Sequence, residues 1–347
     1  MSLKILGIES TCDESGISLI EVKEDFVFIL SNLLASQIKI HSRYGGVVPS
    51  LAAREHKKNL PFLFKKLIKN FPNLDFDFIS FSFSPGLAPA LLEGKRFTFK
   101  IASKFQKKIM PVNHLLAHLF ISLLKKEDDF KFKILLPALP AIGLLISGGH
   151  TEIFIFDGSW PKVKIKMIGE TLDDAVGEAF DKVARLLGFS YPGGPKIEKL
   201  AQKVKSSSFK LPRPMIFQKN YNFSFSGLKT AVYYLIKKQK KINLSLKKEI
   251  AYEFQQAVFE TLLKKTQRAL KDFSAKSLIV GGGVSANQTL KEYFLSRLQL
   301  PIFWPEKKMA TDNGLMIALA GWFYWQKGKR PAEKSKIDIS PQSLINF

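Results

Sequence analysis

Two histidines spaced four residues apart are the side chains whose type and spacing point most directly to chemistry. His114 and His118 are two of only five histidines among 347 residues. Positions i and i+4 lie on one face of a helix, so both imidazoles can reach a single metal ion. A zinc peptidase would need a glutamate directly after the first histidine, and Leu115 stands there instead. The pair indicates a metal site that needs a third protein ligand, or a helix with two half-buried histidines.

Two glycine-rich turns follow apolar, strand-like runs. Ser147 to Gly149 follows the run at 141–146, and Gly281 to Gly283 follows the run at 277–280. Glycines let backbone N–H groups approach phosphate oxygens, and serine adds a donor. Neither turn is a Walker loop, because no Gly-Lys-Ser/Thr follows. We expect both turns to hold a nucleotide from opposite sides of a cleft; the alternative for the first is a plain glycine hairpin.

A third polar turn, at residues 9–16, carries the adjacent carboxylates Asp13 and Glu14. A run of polar and small residues this long exceeds what a hairpin needs, and such a loop can meet phosphates and a metal. The alternative is an exposed acidic hairpin. That alternative fits poorly with a chain whose net charge of +23 otherwise suits it to attract a polyanion.

Composition narrows the class of protein. The length suggests two domains, and the excess of 53 basic over 30 acidic residues favours a nucleic acid partner, or else reflects a general lysine bias. The single cysteine, Cys12, excludes a disulfide framework and a cysteine-based metal cluster. We expect a cytoplasmic protein with no signal peptide and no membrane partner, because no apolar run reaches the roughly 18 residues of a span.

The order of predicted elements repeats once along the chain. Each half begins with a strand, a polar turn and two further strands, and continues with helices alternating with strands. This order predicts an α/β protein of two ribonuclease H-like domains, of the actin, hsp70 and sugar kinase architecture, facing a nucleotide-binding cleft. We place the N-terminal domain at residues 1–125 plus about 312–347 and the C-terminal domain at 126–311. The charged segment 125–133 marks the crossing between them.

Helix limits follow from capping residues and breakers. We expect a helix at about 51–69 capped by Ser50. The stretch Thr311-Asp312-Asn313-Gly314 is expected to cap the last long helix, with Thr311 or Asp312 as the N-cap residue. The tail at about 327–347 is expected to be extended. A further helix is expected at about 171–187, and it would carry Asp173, Asp174, Glu178 and Asp181.

Nine motifs occur in one order along the chain, from about Ile5 to about Gly321. They are Gly7-Ile8-Glu9-Ser10-Thr11-Cys12-Asp13-Glu14, Gly45-Gly46-Val47-Val48-Pro49, His114-xxx-His118, Ser147-Gly148-Gly149-His150-Thr151, Gly177-Glu178-Ala179-Phe180-Asp181-Lys182, Tyr191-Pro192-Gly193-Gly194-Pro195, Phe223-Ser224-Phe225-Ser226-Gly227-Leu228-Lys229, Gly281-Gly282-Gly283-Val284-Ser285-Ala286-Asn287 and Thr311-Asp312-Asn313-Gly314. With this series the chain resembles the universal tRNA threonylcarbamoyladenosine synthase catalytic subunit family, once described as a glycoprotein endopeptidase. Ser84, Pro89 and Glu93 depart from the family's usual pattern, outside the metal and nucleotide motifs.

The resemblance implies an activity and a set of site residues. The activity is transfer of a threonylcarbamoyl group from threonylcarbamoyl-AMP to N6 of adenosine 37, in tRNAs that read codons beginning with A. Carried over, His114, His118 and Asp312 match the ligands of one divalent metal ion, iron or zinc, and Asp13 and Glu14 match the acidic pair near the reacting group. The substrate-binding residues implied, in a site that would also accept ATP, ADP or AMP, are Leu145, Ile146, Ser147, Gly148, Gly149, Asp181, Gly194, Glu198 and Asn287.

The resemblance also implies partners, and other classes of protein stay open beside it. The expected partners are tRNA, an inactive paralogous subunit and a small ATPase. The alternatives are a metallopeptidase, against which Leu115 argues, and a non-catalytic actin-like scaffold that binds nucleotide.

Overall fold

The computed structural model describes residues 2–239, 242–342 and 347, and the chain divides into two compact units. The first comprises Met1–Leu136, Gly158–Lys164 and Pro305–Phe347, and the second comprises Pro137–Asp157 and Ile165–Trp304. No helix in the described ranges combines the length and the apolar character that crossing a bilayer requires.

The described part of the chain forms twelve strands and ten α-helices. The strands are β1 (Ser2–Glu9), β2 (Glu14–Lys23), β3 (Phe26–Ser36), β4 (Phe78–Ser84), β5 (Ile109–Asn113), β6 (Leu124–Lys126), β7 (Lys131–Ile134), β8 (Ala141–Ile146), β9 (Thr151–Asp157), β10 (Lys164–Glu170), β11 (Ser277–Gly281) and β12 (Ile302–Phe303). The helices are α1 (Ile38–His41), α2 (Pro49–Asn70), α3 (Ala88–Phe105), α4 (His114–Phe120), α5 (Val176–Leu186), α6 (Gly194–Ala201), α7 (Ser226–Lys237), α8 (Leu244–Asp272), α9 (Gln288–Leu295) and α10 (Gly314–Gln326).

The first unit is built on a sheet with the strand order β5-β4-β1-β2-β3-β7-β6. Strands β1, β2 and β3 form an antiparallel meander, and β4 and β5 continue the sheet parallel to β1. This is the ribonuclease H-like order that the sequence predicts. Because β1 and β5 point the same way, their carboxyl ends lie at one edge of the sheet. The polar turn after Glu9 and the helix that starts at His114 therefore emerge at the same edge.

Helix α10 packs so closely against this sheet that its backbone contacts the backbone of the strands. A Cβ added to Gly7 would clash with the Gly314 carbonyl oxygen and lie 2.6 Å from the Ala318 amide nitrogen. A Cβ added to Gly16 would lie 2.5 Å from the Gly314 amide nitrogen. The helix is buried from Gly314 to Tyr324, so it is apolar around its whole circumference rather than on one face.

The second unit repeats the strand order as β10-β9-β8-β11-β12. Strand β8 pairs antiparallel with β9 and parallel with β11, which in turn pairs parallel with β12. Side chains of β8, α5 and α8 share one core, which includes Ile142, Ile146, Phe180 and Phe254. The α/β fold class predicted from the sequence is confirmed.

The two glycine-rich turns lie side by side in the second unit, so the expectation that they line opposite sides of a cleft is wrong. They follow β8 and β11, which are parallel neighbours, so both leave the sheet at one edge. Gly282 has φ +92°, and a Cβ on it would lie 2.7 Å from the Ile146 carbonyl carbon. Only glycine combines that backbone conformation with so close an approach.

The charged segment 125–133 is part of the first sheet rather than a crossing between domains. It forms most of the β6–β7 hairpin, and β7 pairs antiparallel with β3. Lys125 and Lys126 are exposed at this sheet edge, whereas Phe132 and Ile134 are buried. The first unit accordingly runs to Leu136, beyond residue 125.

Two helices begin at other residues than the sequence predicts. Helix α2 begins at Pro49 rather than after Ser50, because proline fits the first position of a helix. Helix α5 begins at Val176 rather than at about residue 171, so Asp173 and Asp174 lie in the loop before it.

The end of the chain also differs in detail from its predicted form. Asn313 caps α10, in place of Thr311 or Asp312. In the tail, Ala332 pairs with Ile109, and residues 334–336 form a 3₁₀ turn. The expected extended tail includes 343–346, which lie outside the described residues.

We predict that Gly7→Ala destabilises the fold. The new methyl group would meet backbone atoms of α10, which cannot rotate away as a side chain can. Overpacking of this kind typically costs about 1–3 kcal/mol of unfolding free energy. Urea denaturation measures the loss, with Gly46→Ala as control, because a Cβ at Gly46 meets nothing within 4 Å. Equal unfolding midpoints for the two variants would contradict the backbone contact.

Candidate metal centre and nucleotide site

Helix α4 presents both predicted histidines at the end of β5. Asn113 caps the helix, because its side-chain oxygen accepts hydrogen bonds from the amides of Leu115 at 2.9 Å and Leu116 at 3.0 Å. His114 and His118 are 7% and 1% exposed. Their rings meet edge to face, with centroids 4.7 Å apart. The capped helix thus holds two imidazoles together in a buried position.

Asp312 completes this group from the segment that precedes α10. Its Oδ1 lies 2.9 Å from His118 Nε2 and 3.6 Å from His114 Nε2. The adjacent Asn313 fixes the segment, since its side chain accepts a hydrogen bond from the Met316 amide at 2.9 Å. One ligand atom from each of the three residues lies within 4.8 Å of the others. The structure therefore brings together all three side chains of the predicted metal site, which we call the metal triad.

Glu9 fixes the orientation of the His114 ring. Its Oε2 accepts a hydrogen bond from His114 Nδ1 at 3.0 Å, and its Oε1 accepts from the amide and hydroxyl of Thr11, each at 2.6 Å. A metal-binding histidine usually donates a hydrogen bond to a carboxylate from the ring nitrogen that does not bind the metal, and this bond fixes the ring. The bond leaves His114 Nε2 on the side of Asp312. Sequence reasoning missed this role, although a glutamate that ends a buried strand is itself a signal of a polar partner.

The electrostatics of the metal triad favour a bound cation. Burial lowers the pKa of His114, but the carboxylates of Glu9 and Asp312 outweigh that effect and raise it to about 9. His118 Nδ1 is buried with no hydrogen-bond partner in the described part of the chain. Two imidazoles and one carboxylate form a donor set that suits a transition metal such as iron or zinc. The residues present therefore fit a divalent metal ion.

Asp13 and Glu14 are buried near this group, at 8% and 6% exposure, so the alternative of an exposed acidic hairpin is wrong. Glu14 opens β2, and its Oε2 has no hydrogen-bond partner among the described residues. Burial, followed by repulsion from Asp312 and Asp13, raises the pKa of Glu14 to about 8. A carboxyl group in this setting exchanges its proton near neutral pH.

A buried histidine network holds the backbone of the acidic turn. His56 Nε2 lies 2.9 Å from the Cys12 carbonyl oxygen. His41 Nε2 lies 3.1 Å from Gln37 Oε1, and the Gln37 amide donates to the Asp13 carbonyl at 2.9 Å. Burial lowers the pKa of both histidines, so they are neutral at pH 7. In the sequence, only the small number of histidines draws attention to the residues of this network.

The Ser147 turn in the second unit is closed by its own hydrogen bonds. The Ser147 amide donates to the His150 carbonyl at 2.8 Å, and the His150 amide donates to the Ser147 hydroxyl oxygen at 3.0 Å. Gly148 and Gly149 are exposed, and a Cβ at either would meet nothing within 4 Å. Their lack of a side chain serves no packing need inside the protein. It leaves the backbone open to a ligand.

Helix α5 connects this turn to Asp181, another predicted substrate-binding residue. Gly177 packs on the turn, since a Cβ there would lie 2.6 Å from the Ser147 carbonyl oxygen. One turn further along the same helix, Asp181 accepts the Gly193 amide at 2.6 Å. That hydrogen bond places the start of α6 next to α5.

The remaining predicted substrate-binding residues lie on the neighbouring elements of the second unit. Glu198 on α6 accepts a hydrogen bond from the Thr289 amide at 3.2 Å, which ties α6 to the start of α9. The other positions are Leu145 and Ile146, buried at the end of β8, Gly194 at the start of α6 and Asn287, which caps α9. The nine positions therefore belong to one connected part of the second unit.

Fold and sites together define the class of protein. Both units have the ribonuclease H-like strand order, and a solved structure of full-length HypF, in its phosphate- and nucleotide-bound form, is similar in fold. The similarity covers 98% of this chain and 47% of that one, with a TM-score of 0.56 and 13% identity. The chain is thus a two-unit α/β protein of HypF-like fold, with the metal triad in its first unit.

Sequence comparison specifies the family within that class. The model of the TsaD family, tRNA N6-adenosine threonylcarbamoyltransferase, matches residues 28–319. The enzyme of that name from Thermosipho africanus is 44% identical over 329 residues, covering 93% of this chain and 95% of its own. That from Persephonella marina is 42% identical over 328 residues, covering 92% and 90%. The chain belongs to the tRNA N6-adenosine threonylcarbamoyltransferase family, which confirms the resemblance and the enzyme class, a transferase that modifies tRNA.

We predict that His118→Ala loses its metal while it stays folded. The substitution removes one of three protein ligands, and two remaining ligands hold a divalent ion poorly. After loading with iron or zinc and gel filtration, elemental analysis should find about one equivalent in the wild type and little in the variant. His150→Ala, which removes a histidine outside the metal triad, is the control and should keep its metal. A fully loaded His118→Ala would show that the ion is held elsewhere.

Proposed function

We propose that this protein transfers the threonylcarbamoyl group of threonylcarbamoyl-AMP to N6 of adenosine 37, in tRNAs that read codons beginning with A. The observation that carries the proposal is the pairing of the metal triad with the buried carboxyl group of Glu14 in a member of this family. In the reaction, adenosine N6 bonds to the carbamoyl carbon and the bond from that carbon to the phosphate oxygen breaks. AMP leaves with the bonding electrons, and N6 loses a proton.

His114, His118 and Asp312 are the residues that would hold one divalent ion. A metal bound there supplies Lewis-acid chemistry, the polarisation of a donor oxygen and the stabilisation of developing negative charge. Glu9 and Thr11 contribute by keeping His114 in one orientation. The raised pKa of His114 reflects how strongly Glu9 and Asp312 attract positive charge to this place.

Glu14, with Asp13 beside it, would accept the proton that N6 loses. A general base works best when its pKa is close to the operating pH, and the pKa of Glu14 is raised to about 8. A cation near Asp312 would offset part of the repulsion that Asp312 exerts on Glu14 and bring that pKa closer to neutrality. AMP is a good leaving group, so a covalent intermediate on the protein is not required.

The second unit would bind the adenylate. Exposed backbone of the Ser147 turn suits the phosphate, and the side chains of Asp181 and Glu198 suit the donor groups of ribose or adenine. Ile146 contributes through its backbone, because its side chain is part of the core. Glycine at 148 keeps the approach open.

We place the reaction in the cytoplasm, with an inactive paralogous subunit and a small ATPase as partners of this chain. The support is family membership together with a net charge of +23, which suits a protein that meets tRNA. Phosphate contacts of this kind make tRNA affinity fall as salt concentration rises.

We predict that Gly148→Val weakens binding of an adenylate analogue about tenfold or more. The branched side chain would occupy the open space next to the turn and keep phosphate from the backbone amides. Isothermal titration calorimetry measures the affinity. Gly227→Val is the matched control, since Gly227 is also exposed with nothing within 4 Å of its Cβ position. Unchanged affinity in Gly148→Val would place the phosphate elsewhere.

We predict that wild-type protein modifies tRNA at adenosine 37 and that Glu14→Gln does so at least about tenfold more slowly, a conservative floor for lost general-base help. The measurement is single-turnover transfer from pre-bound threonylcarbamoyl-AMP, followed by nucleoside analysis. The wild-type rate should rise with pH up to about 8, as Glu14 loses its proton, and the variant should lack that rise. A wild type that leaves tRNA unmodified would refute the function, and a variant of equal rate would refute the role of Glu14.

The thermal stability of the protein, measured without added metal, provides the control for Glu14→Gln. The folded chain holds the Glu14 proton up to a pKa of about 8, while the unfolded chain releases it near the ordinary value of 4.5. Wild-type stability therefore falls as pH rises across that window, because the unfolded state binds fewer protons. The glutamine variant has no such proton to lose, so it should melt at or above the wild-type temperature at pH 8.

A further inference from the structure

A surface groove of about 450 Å³ lies between α5 and α7 in the second unit. Most of the surface that lines it is apolar, and none of its residues is among the predicted adenylate-binding positions. Three of the lining residues are basic and none is acidic. The groove is lined by Lys182, Arg185, Leu186, Lys229, Thr230 and Tyr233.

The positive charges of the groove are only partly neutralised. Lys182 pairs closely with Asp174 at 2.6 Å and Glu178 at 2.8 Å. Lys229 lies 3.9 Å from Asp174, a distance at which a solvated pair attracts weakly. Arg185 is exposed and makes no ion pair in the described part of the chain. The groove therefore keeps positive charge available for a ligand.

Helix α7 adds two exposed aromatic rings to this charge. Tyr233 and Tyr234 are 45% and 56% exposed, and Tyr233 has Lys229 one turn before it and Lys237 one turn after it. Single exposed aromatic side chains are ordinary, but here the rings stand on a helix with basic residues and no carboxylate. Cations that alternate with exposed aromatic rings are the combination that binds single-stranded nucleic acid.

We propose that this groove binds an unpaired stretch of the tRNA, with phosphates at Arg185 and Lys229 and a base stacked on Tyr233. Unpaired bases can splay out onto aromatic rings, which paired bases in an RNA helix cannot. The inference rests on the proposed function, in which tRNA is the acceptor. Helix α5 carries Asp181 as well as Lys182 and Arg185, so one helix holds both a side chain of the proposed donor site and a wall of the acceptor groove.

Charge reversal and ring removal test the groove in the full-length protein. Arg185→Glu should raise the Kd for tRNA about tenfold or more at low salt, and the difference should shrink as salt screens the phosphates. Tyr233→Ala should raise the Kd about 5- to 160-fold, the range expected for losing one stacked base, while Tyr233→Phe keeps the ring and the affinity. Fluorescence anisotropy with labelled tRNA at two salt concentrations measures both effects.

A second pair of probes separates unpaired from paired RNA. A labelled single-stranded oligonucleotide should bind less tightly to Tyr233→Ala than to the wild type, because it can stack on the ring. A duplex RNA of the same length should bind both proteins alike. If the tyrosine mattered equally for the duplex, the assignment of an unpaired stretch would be overturned.

Arg297→Glu is the matched control, because Arg297 is exposed in the same unit and does not line the groove. Its guanidinium carbon lies 3.7 Å from the centroid of the Tyr293 ring, so it too combines a cation with an aromatic ring. Its Kd for tRNA should change much less than that of Arg185→Glu. Equal Kd values for Arg185→Glu, Tyr233→Ala and Arg297→Glu would overturn the proposal. The proposal would also be overturned if Arg185→Glu lost as much affinity for the adenylate analogue as for tRNA. The effect would then reflect a general disturbance of α5.

The wild-type transfer assay separates this proposal from the proposed function. If wild-type protein modifies adenosine 37 but the groove variants bind tRNA normally, the groove assignment fails and the function stands. If the groove variants lose tRNA affinity but wild-type protein transfers nothing to tRNA, the function fails and the groove remains a tRNA-binding surface.

Discussion

The metal triad depends on the close packing of α10 against the first sheet, where backbone contacts backbone. Gly7 and Gly16 on two strands meet Gly314 on the helix, and none of the three carries a side chain to hold the backbones apart. Asp312 stands two residues before Gly314, so the depth of the helix sets the position of that carboxylate. A helix held further from the sheet by side chains would carry Asp312 away from the two histidines.

This arrangement concentrates negative charge in a buried place. Glu9 and Glu14 come from one end of the chain and Asp312 from the other. Glu9 and Asp312 raise the pKa of both His114 and Glu14. Burying carboxylates close together is costly, and the cost is visible in the raised pKa of Glu14. Such a group does not favour stability by itself. Perturbed pKa values and local conflicts of this kind cluster at functional sites.

The same strand order presents different chemical groups in each unit. In the first, the edge where parallel strands end carries carboxylates and imidazoles. In the second, the equivalent edge carries the glycine turns after β8 and β11, where open backbone replaces charged side chains. The difference follows from the loops, because the strand pairing beneath them is alike.

What the sequence determined by itself was local or patterned. The spacing of His114 and His118 predicted a shared helical face, the order of elements predicted the fold class, and nine ordered motifs predicted the family and, through it, candidate residues for both sites. The tertiary structure decided what depends on contacts between distant segments. These are the support of His114 by Glu9, the network around His56, the extension of the first sheet to β6 and β7, the adjacency of the two glycine turns, and the groove between α5 and α7. Residue spacing constrains which side chains share one element, whereas the packing of separate elements decides which of them meet.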